Sequence, residues 1–277
     1  MLTIIRKIHG CIWRYTHNVL RPMKWLLEAN YIRSISRKAD VNPIDTSKKY
    51  LILAPHSDDE WIGCSQIIIN CPNSIICNMD MQGGDSVEVH KQRFAEMSSV
   101  ADRFGRKLIT ISNDKIVSLQ NVLDQEHPDY VLVPHFIDWH TEHHQVMNIL
   151  KKLVLNERYS NKILTYQVSV PFVNRNGCLY STMTKEHQEH KWNIFTEHYK
   201  TQNFMPVDRF KVNEYINGVY VSPYAAELYM LYDADDWAIA VDDFVKHIDK
   251  CYVLKENINS IICLLYTSDA ADDLTRV

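Results

Sequence analysis

The chain has 277 residues, 46% hydrophobic and 23% charged, which supplies a sizeable core and excludes wholesale disorder. Its net charge of −4 excludes nucleic acid as a general partner. The 7 cysteines, at positions 11, 64, 71, 77, 178, 251 and 263, include no C-x-x-C pair, so neither a zinc ribbon nor a disulfide framework is indicated. A reduced, cytoplasmic compartment is therefore the expectation.

Between residues 2 and 31 only Gly10 and Pro22 interrupt a helical pattern. Ile5, Ile8, Ile12, Tyr15 and Val19, then Met23, Leu26 and Leu27, recur every three or four residues, predicting two helical pieces that part at Pro22. Arg6, Lys7, Arg14, Arg21, Lys24, Arg33, Arg37 and Lys38 are opposed there only by Glu28. Residues 1–38 thus carry +7 and, with −4 for the whole chain, the remainder carries −11. Two readings stand side by side: peripheral contact of residues 1–38 with an anionic membrane, such as the inner membrane surface, or a helical arm packed on the domain. Arg6, Lys7 and Arg14 break up any secretory apolar region, and no run approaches the ~18 apolar residues of a bilayer span. Residues 39–49 read as a polar linker around Asn42-Pro43.

From Tyr50 short apolar runs alternate with helical patterns. Strands are expected at 50–54, 74–79, 107–111, 129–133 and 163–170, and helices at 61–70, 87–104 and 141–155. This predicts an α/β, Rossmann-like, mainly parallel sheet with helices on both faces, plus the N-terminal helical extension. Arg175-Asn176-Gly177 reads as the turn of a tight hairpin, and the chain after that hairpin reads as mostly helical. The domain limits are therefore 1–48 for the extension and linker, 49–262 for the main domain, and 263–277 for a tail. That tail, from Cys263 through Asp273, resembles a translated transposon-type sequencing adapter, and its small and acidic residues have nothing to bury.

Two segments carry chemistry. Ala54-Pro55-His56-Ser57-Asp58-Asp59-Glu60 lies where a strand ends and a helix begins, the place where open α/β sheets bind ligands. A histidine and a carboxylate three positions apart in such a turn can face one cation, with Asp58 left free to act on its water. Pro134-His135-Phe136-Ile137-Asp138-Trp139-His140-Thr141-Glu142-His143 follows another strand, and i, i+3 spacing puts His140 and His143 on one helix face. Taken singly, the acidic run reads equally well as residues at a helix N-terminus, and the histidine pair as a solvated helix face. Both at strand ends of one sheet point to a catalytic zinc site, with three protein ligands and an open position.

These residues resemble the LmbE-like, or PIG-L, family of zinc-dependent N-acetylglucosaminyl deacetylases, whose signature is H-P-D-D-E at a strand end followed by H-x-D-H or H-P-D-H. The resemblance runs from about residue 50 to 244. It has weaker echoes in Arg93 and Glu96, in Lys191, Tyr199 and Gln202, and in Ala226-Glu227. Ser57 stands where the family has Pro, and Thr141 and Glu142 where it has Pro and Asp. The resemblance implies His56, Asp59 and His143 as ligands of Zn²⁺ (or another divalent ion such as Fe²⁺). It implies Asp58 as general base, His140 as general acid or oxyanion partner, and Arg93 as a substrate contact. Asp138 either orients a ligand histidine or is a loop carboxylate. The implied reaction releases acetate and a free amine from an N-acetylglucosamine-type conjugate, small or lipid-linked. An amidase for another acyl-amino conjugate would use the same centre, and a non-catalytic glycan-binding relative would not need Asp58 and His140. His144, His187, His190 and His198 read as structural or solvent-facing, and Trp61 as core, with stacking on a sugar as its alternative.

Overall fold

The computed structural model describes residues 19–245, apart from 36–38, 82, 83, 85, 112, 113, 139, 169–171, 173, 174, 222 and 223. The helical piece expected before residue 19 and the tail at 263–277 lie outside the described residues.

The chain runs α1 (Arg21–Ile35), β1 (Val41–Pro43), β2 (Tyr50–Ala54), α2 (Asp59–Asn70), β3 (Ile75–Asn78), α3 (Val87–Arg103), β4 (Lys107–Thr110), α4 (Lys115–Glu126) and β5 (Tyr130–Pro134). It continues through α5 (Thr141–Leu155), β6 (Lys162–Tyr166), β7 (Cys178–Met183), α6 (Lys185–His198), α7 (Val207–Asn217), β8 (Ala225–Tyr232) and α8 (Ala234–Val245). One sheet collects the described strands in the order β1-β7-β8-β6-β5-β2-β3-β4, and among them only β8 runs antiparallel to its neighbours.

The central strands are apolar along their length because both faces are covered. Leu51, Leu53, Val131 and Val133 meet α4, α5 and α8 on one side. Tyr50, Ile52, Ala54 and Leu132 meet α2, α3, α6 and α7 on the other. Each fully buried Ile or Leu there stabilises the fold by roughly 1.5–3 kcal/mol. Helix α2 lies tight against β6: a Cβ on Gly63 would come within 2.3 Å of the Tyr166 ring and 2.8 Å of the Gln167 carbonyl. Pro22 sits in the first turn of α1, where its missing N–H has no intrahelical partner to lose. Helix α1 packs on α7 through Trp25, Ala29 and Ile32 against Val212 and Ile216.

Three expectations are corrected. The segment read as a linker holds β1, an edge strand paired in register with Cys178–Tyr180. The stretch read as mostly helical holds β8, the eight-residue strand between β6 and β7. The turn at 175–177 forms, with the Cys178 N–H donating to the Arg175 carbonyl at 3.3 Å and Gly177 at φ 77°, but the strand that follows it pairs at long range, with β1 and β8.

Candidate active site

Strand β2 lies between β3, its sequence successor, and β5, which returns from the far side. The β2/β5 boundary is therefore a topological switch point, and both sequence motifs leave the sheet there. Beyond Ala54 the chain turns sharply into α2, and Asp58 takes φ 153° and ψ −29°. A non-glycine residue held in such a region stores about 1–3 kcal/mol of strain, a cost met by surrounding structure. Here the Asp58 N–H donates to Glu60 Oε2 at 3.0 Å, while its carbonyl accepts the N–H groups of Trp61 and Ile62. Glu60, wholly buried, accepts the Tyr199 hydroxyl at 2.5 Å, and burial raises its pKa to about 7.

Asp59 opens α2, where the helix dipole favours a carboxylate. Its Oδ2 accepts the His56 N–H at 2.9 Å and lies 3.1 Å from His56 Nδ1 and 3.2 Å from His143 Nε2. Ligand atoms of His56, Asp59 and His143 all fall within 4.8 Å of one another. His143 is buried in the first turn of α5, with Nδ1 3.4 Å from Asp138 Oδ2. Burial works against both charged partners, yet their attraction wins. Asp59 is held well below the usual carboxylate range by His143 and His56, and His143 is pushed well above the ordinary imidazole value by Asp59 and Asp138. Asp138 is likewise brought down, against its burial, to about 2 by His143 and His140.

The residues fit a divalent cation. Two imidazoles and one carboxylate converge, and the proton these carboxylates draw onto His143 competes for the nitrogen a metal would take. Asp138 behind His143 is the carboxylate–histidine arrangement that orients a ligand ring.

Asp58 is buried beside this cluster, and its carboxylate has no hydrogen-bond partner among the described residues. Burial, then the charges of Asp59 and Glu60, raise its pKa well above the usual range, with Arg93 opposing them. The His140 ring, exposed just ahead of α5, lies 4.9 Å from that of His143 and 6.0 Å from that of His56. Loss of hydration holds its pKa below the ordinary value, with Asp138 pulling the other way. Arg93 reaches in from α3. Its carbonyl accepts the Ser57 hydroxyl at 2.5 Å, and the Gln202 amide, with its oxygen turned inward, accepts from Nη2 at 2.8 Å and Nε at 3.1 Å. A pocket of about 270 Å³ opens beside the cluster, lined by Pro55, His56, Asn78, Asp80, His90 and Arg93 among others.

The structure thus brings His56, Asp58, Asp59, Asp138, His140, His143 and Arg93 to one site. Sequence reasoning left Glu60, Tyr199 and Gln202 without roles, and they brace Asp58 and Arg93. It also passed over Asp80 and His90, which face each other at 3.3 Å on the pocket wall and had no local signal. Trp61 has no exposed surface, stacks on Phe104 and donates to the Lys191 carbonyl, so the sugar-stacking alternative is corrected. His187 and His190 are exposed as expected, but His198 is not a free surface group: it pairs with Ser99 Oγ at 2.7 Å. His144 packs its Nε2 against the Asp138 carbonyl at 2.5 Å.

Fold and site together describe a doubly wound α/β protein with a candidate metal centre at its switch point. No family model matches the chain, and no curated protein matches it in sequence. Solved structures do. The conserved protein TT1542 from Thermus thermophilus aligns over 66% of this chain and 94% of its own, at TM-score 0.54 and 16% identity. N,N'-diacetylchitobiose deacetylase from Pyrococcus horikoshii aligns over 76% and 91%, at 0.53 and 17%. The zinc-inhibited form of teicoplanin deacetylase Orf2 aligns over 68% and 99%, at 0.51 and 12%. The chain shares the fold of these three proteins, two of which are deacetylases.

Proposed function

We propose that this chain is a metal-dependent N-deacetylase, hydrolysing the N-acetyl group of an N-acetylglucosamine-type conjugate to acetate and a free amine. The observation that carries the reading is the convergence of His56, Asp59 and His143 beside a strained, buried Asp58. That the diacetylchitobiose and teicoplanin enzymes share this fold supports it.

His56, Asp59 and His143 would hold the metal, zinc or another divalent ion such as iron(II). When bound, it supplies carbonyl polarisation and a more acidic water. Asp58 takes the proton of the water that attacks the acetyl carbon, since its environment gives it high proton affinity. His140, at the mouth, donates its N–H to the developing oxyanion, and the proton taken up by Asp58 passes to the leaving nitrogen as the C–N bond breaks. Arg93, steadied by Gln202, faces the substrate, and Asp138 orients His143.

The test is acetate release from a panel of N-acetylated sugars, free, nucleotide-linked and lipid-linked, by protein loaded with zinc or iron(II). Release that requires metal and disappears in Asp58→Asn is expected. No release from any member by metal-loaded protein would overturn the proposal.

A further inference from the structure

Helix α1 has two apolar faces, and among the described residues only one of them is packed. Trp25, Ala29 and Ile32 are buried against α7, and Arg33 reinforces that face with its guanidinium 4.1 Å from the centre of the Tyr215 ring. Tyr215 also donates its hydroxyl to Asn30 Oδ1 at 3.1 Å. The opposite face presents Met23, Leu26, Leu27 and Tyr31, with Leu27 69% exposed and Met23 57%, and Val19 and Leu20 are exposed just ahead of the helix. Four of these, Val19, Met23, Leu26 and Leu27, belong to the periodic apolar stripe that begins at Ile5 in the sequence. The described part of the stripe is therefore not what packs α1 on α7. Packing falls to residues off the stripe, and its described part stays open to solvent.

Charge says what covers it. The 38 residues that contain α1 carry +7, and the only acidic one, Glu28, is buried and lies 3.6 Å from Lys24. The remainder carries −11. An anionic surface attracts this end of the chain and repels the rest, which selects one orientation. No described helix is long and apolar enough to cross a membrane, so the contact lies in the plane of the surface. We propose that the exposed face of α1 docks on an anionic lipid bilayer, apolar side chains entering the interface and basic ones meeting headgroups.

The test is co-sedimentation of the full chain with vesicles of phosphatidylcholine alone and of phosphatidylcholine mixed with phosphatidylglycerol. Salt-sensitive binding to the mixed vesicles only is expected. The double substitution Met23→Asp, Leu27→Asp should lower partitioning at least ~10-fold. It should leave the thermal unfolding midpoint unchanged, because neither side chain belongs to the face packed on α7. Equal binding to both vesicle types, no binding, or binding indifferent to the double substitution would overturn the proposal. So would a lipid-free dimer that the same substitution dissociates, since a second copy would then be the occupant.

Discussion

Helix α2 carries a cluster of buried charge at each of two successive turns, and the clusters are built on opposite principles. Around its middle, Lys191 Nζ donates to Glu214 Oε1 at 2.5 Å, Glu227 Oε1 at 2.6 Å and the Ile62 carbonyl at 2.7 Å, which uses all three of its protons. Glu227 also accepts from Ser65, Gln66 N–H and Tyr229, and Glu214 from Gln188 and Trp192. Every oxygen there is occupied. At the first turn, Asp58 sits in a strained conformation with its carboxylate unpaired, and Asp59 Oδ2 is crowded by two imidazoles. Burial does not separate the two clusters, since both are buried; they differ in that one satisfies every oxygen while the other holds a strained Asp58 whose carboxylate accepts no hydrogen bond among the described residues.

The largest effect expected from breaking this contrast is at the metal. His143→Ala should lose most bound metal, because one His and one Asp cannot retain it, and acetate release should fall below detection. Added metal should raise the unfolding midpoint of the parent and leave that of the variant unmoved. Metal content equal in the two proteins would reassign the ligand.

Asp58→Asn separates binding from chemistry. Metal content should stay at the parent level while turnover falls by ~10²–10⁴-fold. Turnover at the parent level would move the base role to His140.

Lys191→Met tests the other cluster and should do the reverse. Two buried carboxylates would lose their cation, costing about 3–5 kcal/mol in a urea unfolding experiment. The folded fraction should still bind metal with parent stoichiometry. A cost under about 1 kcal/mol would mean that the network is dispensable and the contrast misplaced.

The smallest effect is expected at the point where the site borrows the structural cluster's method. Asp138→Asn keeps the shape but weakens the hold on His143 Nδ1, and should reduce metal affinity by ~10–100-fold in a chelator competition. Unchanged affinity would return Asp138 to the role of a loop carboxylate that accepts the His140 N–H.

Much of this could be read along the chain. The central parallel strands were legible because residues such as 50–54 and 130–134 are apolar throughout, which only a sheet covered on both faces explains. The candidate metal cluster was legible because its two halves, each ten residues or fewer at a strand end, resemble a family signature, and that resemblance rather than spacing alone picked out His56, Asp59 and His143.

Contacts across longer separations were settled by the tertiary structure. Ala225-Ala226-Glu227-Leu228 has the composition of a helix, yet it forms β8 because β6 and β7 offer it edges to pair with on both sides. Nothing near Asp58 says that Tyr199 will reach Glu60, and nothing near Arg93 says that Gln202 will grip it. The described part of the N-terminal apolar stripe, Val19, Met23, Leu26 and Leu27, carried the period of a helix but not the face that packs, since α7 meets Trp25, Ala29 and Ile32 through Val212 and Ile216. Period and spacing are properties of the local backbone. The choice of partner is a property of the surface that arrives, and it exists only once the chain has folded.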